Sequence, residues 1–174
     1  MRRLDNQLLA ATLAKRAANG HHVDSRLRRA VSIGNSFSIT LEDQDSFLSL
    51  IWQEIDDSRL LTPRCQPRTL REVAMRFIHA GYNYESLACD IGLSHNQHQP
   101  AWFAKCIPIA NSFSYEAFGS IALVPANDSE RTQSPTGSFY IYDGIHKTLV
   151  LSTLLLSEQI AFQPLEAILL TPRR

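Results

Sequence analysis

The sequence predicts an α/β (α+β) fold, in which a small mixed sheet is joined to a helical N-terminal half. The chain has 174 residues, of which 44% are hydrophobic and 20% are charged, so it is long enough to bury one core. Helical periodicity dominates residues 1–100, whereas residues 101–174 contain runs of β type. We therefore expect one domain over residues 1–174, mainly helical as far as residue 100 and α/β beyond it.

The first predicted elements are two helices and a strand. Residues 3–18 are expected to form a helix, because leucines recur along one stripe and Asn19-Gly20 is a typical helix stop. Asp24 is a candidate N-cap for a short helix that ends at residue 30. Residues 37–41 alternate between apolar and polar side chains, which predicts a strand.

Three further helices are predicted before residue 93. Thr69 and Glu72 form a capping box for a helix that ends at Gly81, and another helix is expected over residues 83–92. Residues 44–57 form an amphipathic helical pattern with the acidic side chains outward. The side chains expected to face inward are Phe47, Leu48, Leu50, Ile51 and Ile55.

An alternative interpretation places a helix-turn-helix over residues 75–94. The apolar and glycine positions there resemble the spacing of that DNA-binding motif. A recognition helix should follow, but residues 95–100 are polar and end in Pro100, which would break a helix. We keep the motif as an alternative.

The C-terminal part predicts strands over residues 120–124, 139–142 and 164–170. Residues 125–137 form a connection long enough to indicate a functional loop over a cleft. An apolar helix is predicted over residues 145–157, between the second and third strands. A strand, a helix and a strand in this order predict a crossover between parallel strands.

Charge is segregated along the chain, although the formal net charge is zero. A zero net charge argues against a wholly basic nucleic-acid-binding protein. The acidic helix at residues 42–57 is a candidate docking surface for another protein. Arginines elsewhere can contact a DNA backbone without reading its sequence. The candidates for this contact are Arg64, Arg68, Arg71, Arg173 and Arg174.

Several classes of protein are not expected from this sequence. Three widely spaced cysteines predict reduced, buried thiols rather than a disulfide framework or a zinc site. The histidine pairs at residues 21–22 and 95–98 lack a further ligand at a useful spacing. No apolar stretch reaches membrane-spanning length, and the standard phosphate-binding glycine loops are missing from the sequence. We expect a cytoplasmic protein without a membrane segment.

Residues 139–147, Phe-Tyr-Ile-Tyr-Asp-Gly-Ile-His-Lys, are the most informative segment. A strand-like run stops at an Asp-Gly turn and an apolar helix follows, so the first helical N–H groups and the positive end of the helix dipole can bind an anion. Gly144 lets a phosphate approach the backbone, and Lys147 adds a positive charge. Asp143 can hold a divalent cation or a proton, and His146 can donate to phosphate or act as an acid or base. The structural alternative is an ordinary strand–turn–helix corner with an aspartate cap.

The segment resembles the ParB/sulfiredoxin superfamily. The resemblance consists of the pattern Asp-Gly-x-His-(Arg/Lys) after a strand, followed by an apolar helix and then by a strand with a proline near its start. Here residues 140–147, 148–157 and 164–170 carry the resemblance. It implies that the corner faces a nucleotide-phosphate cleft. Ile145 stands where sulfiredoxins carry a cysteine, so reductase chemistry is not expected. Lys147 is the basic residue of this corner, whereas ParB-type partition proteins carry an arginine-rich motif, so a CTP-dependent clamp is not expected either.

The overall layout is most similar to plasmid-encoded fertility-inhibition proteins of this superfamily. That resemblance implies an ATPase and DNase that blocks DNA transfer through a type IV secretion system, with ATP as substrate and Mg²⁺ as the divalent metal. The expected catalytic residues are Asp143, His146 and Lys147. The expected nucleotide-binding residues are Gly144, Ile145, His146, Lys147 and Thr148. The alternatives are a non-catalytic inhibitor that binds a secretion component and a ParB-like or helix-turn-helix DNA-binding protein.

Overall fold

The computed structural model describes residues 2–18, 28, 31–32, 34–52, 68–79, 81, 104–126 and 139–172. The strands in this part of the chain are β1 (Arg2–Arg3), β2 (Gly34–Leu41), β3 (Ile51–Trp52), β4 (Arg68–Thr69), β5 (Ile121–Pro125), β6 (Phe139–Asp143) and β7 (Leu165–Pro172). The helices are α1 (Asn6–Ala18), α2 (Gln44–Leu48), α3 (Leu70–His79), α4 (Cys106–Asn111), α5 (Tyr115–Phe118) and α6 (Ile145–Leu156). The predicted α/β class with a mixed sheet is confirmed.

The seven strands form one sheet in the order β1-β2-β7-β5-β6-β3-β4. The β5–β7 and β3–β6 pairs are parallel, and the other four pairs are antiparallel. The predicted parallel pairing of β6 with β7 across α6 is wrong, because β5 lies between them, antiparallel to β6 and parallel to β7. The predicted strand over residues 37–41 is confirmed as β2, which begins at Gly34, whereas β1, β3 and β4 were not predicted and make the sheet wider.

The sheet separates a large core from a small one. Successive residues of a strand point to opposite faces, so neighbours in the sequence enter different cores. Leu123 and Leu169 belong to the large core, which α3 and α6 cover. Ala122 and Leu170 belong to the small core, together with Leu13 of α1. The site described below therefore lies on a helix that is anchored in the large core.

Local capping signals place α3 where the sequence predicts it. The Thr69 N–H donates to Glu72 Oε2 at 2.7 Å, and the Glu72 N–H donates to Thr69 Oγ1 at 3.3 Å, which is the predicted capping box. Gly81 has a φ of +61°, and its N–H donates to the Ile78 carbonyl at 3.0 Å. The predicted start and stop of α3 are both confirmed.

The helix predicted over residues 44–57 is wrong over residues 49–52, and its last five residues lie outside the described part of the chain. Asp43 caps α2, which ends at Leu48, and residues 51–52 form β3 instead. Ile51 pairs with Thr69 of β4 and Tyr140 of β6, so hydrogen bonds between distant segments override the helical periodicity. The four predicted inward side chains at residues 47–51 are nevertheless buried.

The N-terminal helix begins three residues later than predicted. Arg2–Arg3 pair with β2 as β1, and Asp5 accepts hydrogen bonds from the N–H groups of Gln7 and Leu8 at 2.8 and 3.2 Å. The helix α1 then continues to Ala18, as predicted. None of the described helices is long and apolar enough to cross a membrane.

Some predictions concern residues outside the part of the chain that the structure describes. They are most of the helix over 24–30, the helix over 83–92, most of the helix-turn-helix over 75–94, most of the loop over 125–137, the acidic residues after 52, and the histidine pairs.

Candidate functional site

The corner between β6 and α6 has the geometry of an open helix N-terminus. Strand β6 ends at Asp143, and Gly144 is the N-cap residue of α6, with φ +97° and ψ +19°. Glycine adopts this left-handed backbone readily, and it has no side chain that could cap the helix. The Gly144 carbonyl accepts the first helical hydrogen bond from the Thr148 N–H at 2.9 Å. The aspartate cap of the structural alternative is thus not formed, and the positive end of the α6 dipole lies at this corner.

Lys147 extends backward from the first turn of α6 to the connection between α5 and β5. Its ammonium donates to the Phe118 carbonyl at 2.7 Å and to the Ser120 carbonyl, and it lies 4.9 Å from the centre of the Phe118 ring. A Cβ atom at Gly144 would lie 2.8 Å from the Lys147 Cε atom, so the stem of the lysine passes directly over the glycine. The predicted contact of Lys147 with phosphate stays a prediction.

His146 is half-buried, and Cys106 of α4 contacts its backbone carbonyl. The Cys106 Sγ atom lies 4.0 Å from the His146 carbonyl oxygen, as a weak hydrogen-bond donor, and the His146 Nε2 atom is shielded from solvent. Burial raises the pKa of Cys106 to about 11. Cys106 therefore carries a neutral thiol at neutral pH and supports the corner by packing, not as a nucleophile.

Asp143 is the carboxylate that directly precedes Gly144 at this corner. It is half-buried at the end of β6 and lies opposite Ala122 of β5. Within the described ranges, no three side chains of the His, Cys, Asp or Glu type form a metal-binding group. Mg²⁺ is commonly held by one or two carboxylates together with substrate phosphates and water, so a single carboxylate is consistent with it.

The side chains of Ile145 and Thr148 have structural roles. Ile145 packs against the large core, and the fully buried Thr148 hydroxyl donates to the Ile145 carbonyl at 2.9 Å. Nucleotide binding by these two residues stays a prediction. Of the three predicted catalytic residues, Asp143 and His146 are half-buried at this corner, and their predicted roles stay predictions.

Of the five arginines predicted to contact DNA, Arg71 is the one whose side chain the structure describes. Arg71, on α3, forms a salt bridge with Asp45 of α2 across the protein surface. Such an exposed ion pair contributes little to stability. Arg68 belongs to β4, and the other three, Arg64, Arg173 and Arg174, lie outside the described residues. DNA contact by these residues stays a prediction.

Two short helices, α4 and α5, were not predicted from the sequence. Residues of both contact the first turn of α6. Ser114 caps α5 by accepting from the Ala117 N–H at 3.1 Å, and Gly119 follows its last residue with a φ of +58°. These start and stop signals could have located α5. The contacts of Cys106 and Phe118 with the first turn of α6 span 40 and 29 residues of sequence and carry no local signal.

A scan of protein-family models finds no match to this chain, and searches of curated proteins and of solved structures find none either. The fold and the corner define an α/β protein with an open helix N-terminus at the end of a sheet strand.

Proposed function

We propose that the chain binds ATP phosphates at the N-terminus of α6, hydrolyses ATP and cleaves phosphodiester bonds in DNA. The observation that carries the proposal is the left-handed N-cap Gly144, which leaves the helix end without a side-chain cap directly beside Asp143 and His146. Backbone N–H groups and the helix dipole at such a position favour the negative charge that develops during attack at phosphorus. Both reactions attack a phosphorus centre, so one cleft can serve both.

The side chains of Asp143 and His146 have separate roles in this proposal. His146 donates a proton to a phosphate oxygen or to the leaving group. Asp143 orients the attacking water or holds Mg²⁺, which when bound neutralises phosphate charge. Neither role requires the Ile145 position, where sulfiredoxins carry a cysteine.

The proposal is tested by alanine substitution in the purified protein. We expect Asp143→Ala and His146→Ala each to reduce phosphate release from ATP and cleavage of plasmid DNA by about 10²-fold or more, because proton transfer and charge stabilisation contribute factors of this size. His79→Ala is the matched control, since His79 is exposed at the end of α3. Wild-type rates for both reactions in folded Asp143 and His146 variants would show that this corner is not the active site.

We further propose that the biological role is inhibition of DNA transfer. This part of the proposal is supported by the resemblance of the layout to the plasmid fertility-inhibition protein Osa, which implies action on a type IV secretion system in the cytoplasm. Donor cells that express the wild-type chain should transfer less plasmid DNA in a mating assay than cells that express His146→Ala. Equal transfer from both donors, at equal protein levels, would contradict a catalytic mode of inhibition.

A second candidate is a non-catalytic inhibitor that binds a secretion component. It is favoured by the contacts of the Lys147 ammonium, which two backbone carbonyls already engage. The exposed carboxylates of Glu42, Asp43 and Asp45 would supply the docking surface. In this case, variants without ATP or DNA turnover would still block transfer, whereas replacing the three carboxylates by amides would relieve the block.

A further inference from the structure

The turn between α5 and β5 has an unusual backbone. Helix α5 ends at the buried Phe118, Ser120 precedes β5, and Gly119 between them has φ +58° and ψ −151°. This combination of angles is accessible in practice only to glycine. The carbonyls on either side of Gly119, those of Phe118 and Ser120, converge on the Lys147 ammonium.

The Phe118 carbonyl at the end of α5 accepts its hydrogen bond from another element, and the Ser120 carbonyl shares the same donor. The last carbonyls of a helix have no partner within the helix, and a lysine ammonium is a common donor to them. Both hydrogen bonds are partly buried. If the ammonium moved to a bound phosphate, the two carbonyls would lose a charged donor. Leaving partly buried carbonyls without that hydrogen bond would raise the free energy of the folded protein.

The path of the lysine stem is also fixed by the backbone. The Lys147 Cε atom occupies space that a Cβ atom at Gly144 would require. The Phe118 ring lies against the other end of the side chain, 4.9 Å from the ammonium nitrogen, at a distance suited to a cation–π contact. The side chain is thus held at the glycine and at the turn.

We propose that Lys147 is a positioning residue that acts through the Phe118–Ser120 turn, and that it is not a phosphate ligand. This inference rests on the proposed function, because the corner it positions is the proposed phosphate site. The ammonium ties the turn to the first turn of α6 and so fixes the orientation of His146, the preceding residue. The phosphate is left to the backbone N–H groups and to His146.

The first test uses amide hydrogen exchange without nucleotide. Lys147→Met keeps the length and apolar stem of the side chain but removes the donor. We expect exchange over residues 113–121 to become faster by about tenfold, because two charge-assisted hydrogen bonds are lost. Exchange over β2 and β7 should not change, and Lys147→Arg should restore slow exchange because it keeps a cationic donor. Unchanged exchange in Lys147→Met would overturn the proposal.

The second test separates positioning from phosphate binding in the ATPase reaction. We expect Lys147→Met to lower kcat by about tenfold and to change KM by less than about threefold, because the phosphate contacts remain while His146 is misaligned. A tenfold rise in KM with unchanged exchange over the turn would identify Lys147 as a direct phosphate ligand. A wild-type protein without ATP turnover would contradict the proposed function alone, since the exchange test contains no nucleotide.

A third measurement needs only the wild-type chain, so it remains decisive if the methionine variant does not fold. Exchange over residues 113–121 is compared with and without Mg²⁺ and ATP. If Lys147 is a positioning residue, exchange over residues 113–121 should be equal or slower with nucleotide, because the lysine stays bound to the turn. Faster exchange on nucleotide binding would show that the ammonium leaves the carbonyls, and it would overturn the proposal.

Discussion

At Gly144 the backbone conformation and the surrounding space both exclude a side chain. Its φ is +97°, and an added Cβ atom would lie 2.8 Å from Lys147 Cε and 3.0 Å from Ile121 Cγ2. Ile121 belongs to the large core, so it cannot move without disturbing its neighbours. This glycine therefore links the backbone geometry of the corner to the packing of Lys147 and Ile121.

We expect Gly144→Ala to destabilise the fold more than Gly81→Ala does. Both glycines have positive φ, but a Cβ atom at Gly81 meets nothing within 4 Å. The free energy of unfolding of the Gly81→Ala control should fall by roughly 1–2 kcal/mol from backbone strain alone. The Gly144 variant should lose this amount and a further contribution from displacing Lys147 and Ile121. Urea denaturation of both variants measures the difference, and equal losses would show that the close contacts at Gly144 cost nothing.

The order of elements at the corner could be predicted from the sequence, but the distant contacts of Lys147 could not. The strand, Asp143, Gly144 and the helix are consecutive, so their order alone indicates a helix N-terminus after a strand. The partners of Lys147 are Phe118 and Ser120, which lie 29 and 27 residues earlier in the chain. Periodicity and spacing contain no information about which carbonyls a distant lysine reaches.

At the scale of elements, the prediction succeeded where hydrogen bonds are local. The capping box of α3 and the glycine after it are encoded within a dozen residues, and both were found. Residues 49–52 were predicted as helix because their apolar pattern suits a helix as well as a strand. The pairing of β3 with β4 and β6 decides between them, and that pairing depends on segments far away in sequence.

The cap of α2 predicts a dependence of stability on pH. The Asp43 carboxylate accepts from the Ser46 N–H at 2.7 Å and from the Ser46 hydroxyl at 2.8 Å, and these bonds lower the pKa of Asp43 from its ordinary value of 3.8. The ionised cap therefore stabilises the fold above pH 3.8, and this contribution is lost as the pH falls through the lower pKa of the folded state.

Asp43→Asn tests this dependence, because asparagine caps a helix but does not ionise. The difference in unfolding free energy between the wild type and the variant should change as the pH falls from about 5 to about 2, and it should be constant above that range. Urea denaturation across this pH series measures it. A difference that is the same at every pH would mean that the charge of Asp43 does not contribute to the cap.

At the scale of the whole molecule, β5 is the central strand of the sheet. Three strands lie on each side of it in the strand order, and its Leu123 side chain is fully buried in the large core. The two cores meet at this strand, since Ala122 enters the small core. Packing on both faces therefore depends on the residues of β5.

We expect Leu123→Ala to destabilise the protein by about 2–5 kcal/mol, because it creates a cavity in a core that is closed on all sides. Leu8→Ala is the matched control, since Leu8 on α1 is 68% exposed. The control should change the free energy of unfolding by less than about 0.5 kcal/mol. Chemical denaturation compares the two, and similar losses would contradict the assignment of the large core as the main source of stability.

The position of β7 has a consequence for the order in which the sheet can be completed during synthesis. Strand β7 lies between β2 and β5, and it pairs with β2 along eight residues. Among the described strands it is also the last in sequence, so until it leaves the ribosome none of the described pairings joins β1–β2 to the group β5-β6-β3-β4. Each of these two pieces then presents an unpaired edge, at β2 and at β5, that other chains or chaperones can bind. Closure of the sheet must therefore wait for contacts of long sequence separation, which favours slow folding after translation.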